Sequence, residues 1–416
     1  MQTTDRPRLP APQSARHVLS TWLAWAFKNA DWLTADRARA WSRILAALLF
    51  IRVAAWIILP RNGDLIAGDF VCYWAAAHFA AAGHAALAYD PALLAPLEHT
   101  QFAFMPNAGF PFLYPPSFLL LLLPLGLLPY LPALLAFLAA GFVPFFASVR
   151  QLLPQRWALL PIVAFPGAIV TAGTGQNGFL SAACFGGYMV LLDQRPILAG
   201  ACLGFLSYKP HFALCVPVAL LAARRWRAVT GAAISVITLT SLSLLVFGQN
   251  AWFAFLEGLP TAGRILTHDI LDPAKVQSTF GAFRIMHLPV AAGAVTQGIV
   301  SICGLAVLGA VTWRRPGGRA EGAILAAAAL VCSPYLVDYD LVILGLPLAW
   351  VLAEAVRTGF RPWEKIVLLL AYVLPILSHG LGAIYHIPTA PFGLCAILAI
   401  VARRVSSDGK QASASF

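Results

Sequence analysis

A carboxylate can take a proton from a hydroxyl only when it is held within hydrogen-bond reach of that hydroxyl. The segment Gly68-Asp69-Phe70-Val71-Cys72-Tyr73-Trp74 offers such a group. Asp69 stands just before a moderately amphipathic helical run, Trp74 to Leu87, which ends at Tyr89-Asp90-Pro91. Two roles suit it: a helix cap that accepts first-turn amides, or a base fixed at the start of the helix. Lys209, in Ser207-Tyr208-Lys209-Pro210-His211, is flanked by apolar runs, where a charge requires water or a counter-ion. A phosphate would satisfy it, and so would snorkelling to an interface. Arg284, in Gln277-Ser278-Thr279-Phe280-Gly281-Ala282-Phe283-Arg284, carries the planar fork that pairs with phosphate oxygens. Asp338 and Asp340, in Ser333-Pro334-Tyr335-Leu336-Val337-Asp338-Tyr339-Asp340-Leu341, suit either ligand hydroxyls or a counter-charge for Lys209. For each of these residues an ordinary solvated-loop or salt-bridge role is the competing reading. Gln176, in Gly173-Thr174-Gly175-Gln176-Asn177-Gly178, either lines a polar cavity or bonds neighbouring helices.

Other chemistries lack their residues. The chain has no phosphate-binding P-loop, no GxSxG nucleophile elbow, no HExxH zinc motif and no metal-ligand cluster, so neither metal nor cofactor is expected. The seven cysteines are scattered, mostly within apolar runs, and read as packing residues.

The elements that position these residues follow from composition. Hydrophobic residues make up 60% of the 416, charged residues only 11%, and mean hydropathy is +0.78. A soluble domain could not hide this much apolar surface, so the solvent for most of the chain is lipid. Helices satisfy their own backbone there, and the apolar runs lack the alternation of a barrel, so the expected fold is an all-α integral membrane bundle. At roughly 20 residues per crossing there is room for about 12 transmembrane helices. The formal charge of +11 does not indicate nucleic acid, because the basic residues cluster between apolar runs, the positive-inside pattern.

Placing Arg224 to Arg227, Arg314 to Arg319, Arg357 to Lys365 and Arg403-Arg404 in the cytoplasm puts Gln249 to Pro289, Ser333 to Asp340 and His379 to His386 on the far side. A run at 43–60 leads to the same side and into a long loop, Arg61 to Phe112, with Asp64, Asp69, Asp90 and Glu98. Counting every later apolar run as a crossing breaks the parity set by Arg224. One run therefore does not cross. The helix after Tyr114-Pro115-Pro116 is favoured as interfacial or re-entrant, because Arg150, Arg156 and Arg195 then fall in the cytoplasm; a single broken helix over 196–223 is the alternative. The division expected is a basic cytoplasmic tail at 1–42 with a surface helix near Trp22 to Trp32, a transmembrane domain at 43–404 and a polar tail at 405–416.

Taken together, these segments resemble glycosyltransferase family 87, a family also described as a domain of unknown function, with polyprenol-phosphate-mannose-dependent α-mannosyltransferase members. The resemblance rests on Gly68-Asp69-Phe70 with Tyr73 and Tyr89-Asp90-Pro91, Tyr114-Pro115-Pro116 with Pro124 and Pro129, Gly175-Gln176, Leu206 to His211, Gln277-Ser278, and Ser333-Pro334 with Asp338 to Leu341. Their order and spacing extend over about residues 45–345. The resemblance implies the GT-C fold of lipid-sugar-dependent membrane transferases, whose first external loop carries an essential acid. It implies that the chain moves a hexose, mannose foremost, from a polyprenyl-phosphate-linked sugar donor to a glycan or lipid acceptor, with inversion. On that basis Asp69 is the catalytic base. Lys209, with His211 or Arg284, holds the donor phosphate, and Tyr73, Tyr114, Gln176, Gln277, Asp338 and Asp340 line the substrate site. The setting implied is the cell membrane, with both termini cytoplasmic and the site on the outer or periplasmic face. A transporter or flippase of lipid-linked saccharides is the rival class, since it too needs intramembrane polar residues and proline-broken helices.

Overall fold

Proline supplies the φ of a first helical turn and lacks an amide that would go unpaired there. Pro91, Pro116, Pro166, Pro196 and Pro210 each open a helix in this way. The computed structural model describes residues 23–58, 67–102, 110–267, 271–314 and 316–413. Asp64 and residues 1–22 of the basic tail lie outside them.

In chain order the main helices are α1 (Ala35–Ile58), α2 (Phe70–Ala81), α3 (Pro91–Gln101), α4 (Pro116–Leu122), α5 (Tyr130–Leu152), α6 (Pro166–Thr174), α7 (Gly178–Leu191) and α8 (Pro196–Phe205). They continue with α9 (Cys215–Ala222), α10 (Trp226–Thr267), α11 (Thr279–Ile285), α12 (Val290–Thr312), α13 (Gly318–Cys332), α14 (Gly345–Thr358), α15 (Glu364–Tyr385) and α16 (Ala390–Ser413). Among the described residues five helical stretches are long and apolar enough to cross a membrane: Tyr130–Leu152, Trp226–Ile265, Val290–Thr312, Asp338–Thr358 and Glu364–Tyr385. A sixth is made by Arg156–Val163 with Pro166–Thr174, bent by 43°. The other apolar helices are shorter. This is an all-helical membrane protein.

The centre of the bundle is α13, buried at every position from Glu321 to Cys332. A helix apolar all round has no face to give to solvent. Small residues let neighbours approach it and each other. A Cβ at Gly200 of α8 would lie 1.9 Å from the carbonyl oxygen of Ala228, and one at Gly231 of α10 would lie 2.0 Å from that of Ile197. The α8–α10 contact is therefore backbone against backbone, as in small-residue packing of membrane helices.

One end of the bundle is basic. Glu321 is fully buried there and receives Arg225 Nε and Nη2 at 3.1 and 2.9 Å and Tyr188 Oη at 2.6 Å. The two carboxylate oxygens of Asp193 accept the Gly318 amide. Glu364 is also fully buried and pairs with Arg404, whose guanidinium further donates to Thr358 Oγ1 and the Gly359 carbonyl. The Trp363 amide donates to the Lys28 carbonyl, so the N-terminal helical turn Ala24–Asn29 rests on this end.

Three features bear on the boundaries read from the sequence, and two of them differ from it. The helix after Asp69 starts at Phe70 and stops at Ala81, short of Leu87, because Gly83 takes φ +84° and a 3₁₀ turn, Ala85–Tyr89, follows. The apolar stretch read as roughly 228–248, just before the far-side segment from Gln249, does not end there. Gly248 (φ 73°, ψ 176°) turns its axis and helix resumes to Thr267, so part of the segment read as a far-side linker is helical. The third concerns the parity. Tyr114 meets Tyr73, and Tyr130 Oη donates to the Ala67 carbonyl at 2.9 Å. The chain between them therefore leaves and returns to the same end. Its farthest part, Gly126, lies against the Ala77 backbone of α2, and the Leu128 carbonyl takes the Trp74 indole. That geometry matches the re-entrant reading of residues 113–129.

Candidate active site

At the end opposite the basic clusters, Asp69 does not cap α2. Its backbone is helical (φ −67°, ψ −23°) and its side chain bonds no first-turn amide. Instead Oδ2 accepts the Gln176 Nε2–H at 3.2 Å, its one side-chain bond among the described residues. Asp90, later in the same loop, is the aspartate that caps, accepting the Ala92 amide at 2.9 Å. The Asp69–Gln176 contact depends on Gly175. That residue takes φ +73°, and a Cβ there would lie 2.7 and 2.8 Å from the Cβ atoms of Ala67 and Phe70. Only glycine fits both demands. The Ala67 amide meanwhile donates to the Gly173 carbonyl at 3.1 Å, locking the two loops together.

Gln176 passes the connection on. Its Oε1 accepts the Tyr73 hydroxyl, and that hydroxyl oxygen receives Asn177 Nδ2–H at 3.1 Å and lies 2.9 Å from Tyr114 Oη. Tyr73 has one proton and gives it to Gln176, so Tyr114 must donate to Tyr73. Tyr114 is held in turn by Tyr89 Oη, which donates to its carbonyl at 3.0 Å. An aromatic wall follows, with Phe118 4.9 Å from Tyr114 and 4.7 Å from Tyr208, ring centre to ring centre. Tyr208 Oη and Ser181 Oγ are 2.7 Å apart.

Lys209 lies at the back of this wall. Its ammonium is 2.6 Å from Asp340 Oδ1, and both side chains are buried. The nitrogen also sits 4.8 Å from the Tyr339 ring centre. Of the partners that suited Lys209 in the sequence, the structure supplies the carboxylate, so no reach to the interface is needed. His211 is packed 5.9 Å from Tyr335, with Nε2 buried and without a hydrogen-bond partner.

Asp338 faces another way. Its Oδ2 is 3.0 Å from His379 Nδ1, while Oδ1 accepts the Tyr339 amide at 2.8 Å. His379 Nε2 is 3.7 Å from Asp272, which caps the turn Pro273–Lys275. Gln277 is spent on holding this turn, since its Nε2 donates to the Ala274 carbonyl and its amide to the Leu336 carbonyl. Ser278 caps α11 and donates to the Pro334 carbonyl. These bonds fix the loop that carries Lys275. Lys275 makes no side-chain hydrogen bond or ion pair to a described residue and acts on Asp69 through its field. Arg284 sits in the last turn of α11.

The electrostatics of Asp69 follow from these neighbours. Burial pushes its carboxyl above the ordinary carboxylate range, and Asp338 adds to the rise. The positive field of Lys275 and the Gln176 amide pull it back. The group is also partly exposed. A carboxylate with one oxygen held and a raised proton affinity can take a proton from a hydroxyl brought within hydrogen-bond reach.

The fold and this site define a polytopic helical membrane protein with a hydrogen-bonded cluster of tyrosines and carboxylates at one end. Glycosyltransferase family 87 matches residues 112–334, a little over half of the chain, and the chain belongs to that family. It is a glycosyltransferase of the membrane. No curated protein and no solved structure matches it. The matched segment holds Tyr114, Gln176, Lys209, His211, Gln277 and Arg284. Asp69, Tyr73, Asp338 and Asp340 flank it in sequence, and the folding of the chain carries them onto it.

The structure joins Asp69, Gln176, Tyr73 and Tyr114, all singled out in the sequence, by hydrogen bonds, and pairs Lys209 with Asp340, which the sequence offered as its counter-charge. Sequence reasoning missed Lys275 and His379. Both lie in segments already assigned to the far side, and Lys275 is one of three basic residues there besides histidines, with Arg264 and Arg284. Asn177 and Tyr208 were inside quoted motifs and Ser181 was outside them, and none of the three had a distinguishing signal.

Proposed function

We propose that the chain transfers a hexose, with mannose as the leading choice, from a polyprenyl-phosphate sugar to a hydroxyl of a glycan or lipid acceptor. The observation that carries this reading is the Asp69 carboxylate, held by Gln176 instead of capping its helix, partly open and raised in proton affinity. Asp69 takes the proton of the acceptor hydroxyl as its oxygen bonds to the anomeric carbon. The bond from that carbon to the phosphate oxygen breaks on the opposite face, so configuration inverts and polyprenyl phosphate leaves. Negative charge grows on the leaving phosphate, and a fixed cation stabilises it. Lys275 suits this task better than Lys209, because Asp340 already occupies Lys209. Lys209 and Asp340 position the wall that holds Tyr339 and Tyr208, Tyr73 and Tyr114 line the acceptor side, and Arg284 serves at most a peripheral phosphate contact.

The same reading counts the shorter apolar helices and the broken one as crossings, giving about 12 in all, arranged as a GT-C bundle. With the basic end cytoplasmic, both termini are inside and Asp69 faces outward. A cysteine probe at Pro273 should then react from outside intact cells, and labelling only after permeabilisation would reverse the topology. The direct test of the activity supplies purified protein with a polyprenyl-phosphate-linked radiolabelled mannose and an extract of envelope glycans and lipids. Loss of label from the carrier with gain in an acceptor supports the reading. Carrier that crosses the bilayer with its sugar intact would contradict it.

A further inference from the structure

A cavity of about 1020 Å³ opens between α1, α5, α14 and α15, at the basic end and away from Asp69. Its walls are apolar, with Leu48, Ile162, Phe165 and Leu348 among them. The volume is at the top of the range of roughly 300–1,000 Å³ that small-molecule sites occupy, enough for long hydrocarbon chains. Arg43 and Arg156 stand on the same cavity. Both are exposed, and neither bonds a described residue. Lys365 lines it too, although its Nζ is 3.4 Å from the Ala30 carbonyl. Trp41 and Trp157 are 45% and 40% exposed beside them, as tryptophans of the membrane–water boundary are.

We infer that this cavity binds an anionic phospholipid, with the headgroup phosphate between Arg43 and Arg156 and the acyl chains along the apolar wall. Charge decides among occupants. The chain's own residues 1–22 carry Arg6, Arg8 and Arg16 against a single acid, Asp5, and a second copy would set the same arginines against each other. Both would be repelled from a basic rim that attracts anionic headgroups. The site is independent of the transfer chemistry, so the two readings stand or fall separately.

The test uses the full chain in zwitterionic micelles, titrated with phosphatidylglycerol or phosphatidylcholine and read by native mass spectrometry. Phosphatidylglycerol should bind the tighter of the two. Arg43→Gln and Arg156→Gln should each weaken it about five-fold, on the order of 1 kcal/mol per basic residue at an anionic headgroup. Arg195→Gln, at the same end but off the cavity, should leave it unchanged. Neither tested arginine has a partner to lose, so thermal midpoints without added lipid should match wild type and show that the variants fold. Equal binding of the two lipids, or a preference that survives in the double variant, would overturn the assignment.

Discussion

Glu321 and Glu364 at the basic end and Asp69 at the other are all acids of one bundle, but they are bonded in opposite ways. Glu364 is fully buried and meets Arg404 through two guanidinium bonds, and Glu321 meets Arg225 and a tyrosine. Those carboxylates are compensated on both oxygens. Asp69 has one amide donor, and among the described residues His211 Nε2, Asn177 Oδ1 and Ser333 Oγ are buried without partners, as is Gln155 Oε1 at the basic end. Buried polar atoms in folded proteins normally find partners. A partly exposed acid with one oxygen unbonded can still accept a hydrogen bond from a polar ligand. The basic end shows that the chain can bond buried acids on both oxygens, so the single bond of Asp69 sets this acid apart.

The comparison can be broken by substitution. Glu364→Ala leaves the Arg404 charge buried without its carboxylate and should cost about 3–5 kcal/mol of stability, measured by denaturant unfolding in micelles, with transfer per folded molecule unchanged. Lys209→Met should cost a similar amount, since it strands Asp340. The second substitution separates the ends. Lys209→Met with Asp340→Leu replaces the pair by apolar groups and should recover most of the stability, yet transfer should stay below wild type because the wall has moved. A double variant with wild-type transfer would make that pair as purely structural as the one at the basic end.

Gln176→Ala should act on rate and pH dependence more than on stability. One bond to a charged group is worth about 1.5–3 kcal/mol, so transfer should fall about tenfold or more. Its amide favours the ionised carboxylate. Without it the Asp69 pKa rises further, and the acid limb of the pH–rate profile should move to higher pH. An unmoved limb would detach Gln176 from the base.

The smallest effect concerns Glu98, buried with Oε2 on the Phe110 amide at 2.8 Å. Burial pushes its carboxyl up to about 7 from an unfolded value of 4.5. A folded pKa above the unfolded one favours the protonated form in the native state. Its contribution is thus full below about 4.5 and lost as pH rises through about 7. Glu98→Gln should flatten the thermal stability profile across that window, and an unchanged profile would remove Glu98 from it.

Much of this was legible in the sequence because lipid restricts the options. Apolar runs between basic clusters indicated an all-helical membrane protein, although helix ends at Ala81 and Gly248 differ, and the motifs at Asp69, Tyr114 and Gln176 lie together in the fold. Local geometry was less legible. Whether Asp69 caps or is held elsewhere depends on ψ at one residue and on a glycine more than 100 positions away, and no spacing rule encodes that contact. The resumption of α10 after Gly248 was hidden because a glycine reads equally as a stop or a bend. Lys275 became visible only once the bonds of Gln277 and Ser278 fixed its loop near Asp69.

The most direct test of the central claim is the transfer rate of Asp69→Asn from a polyprenyl-phosphate sugar, with Asp90→Asn measured beside it. Asparagine keeps the oxygen that Gln176 needs, and Asp69 caps no helix, so thermal stability should barely change. It cannot take the acceptor proton, so transfer should fall about 10²–10⁴-fold. Asp90→Asn preserves a cap and should leave the rate near wild type. Near wild-type transfer by the Asp69→Asn protein would contradict the account and send the search for the base to Asp338 or Asp340.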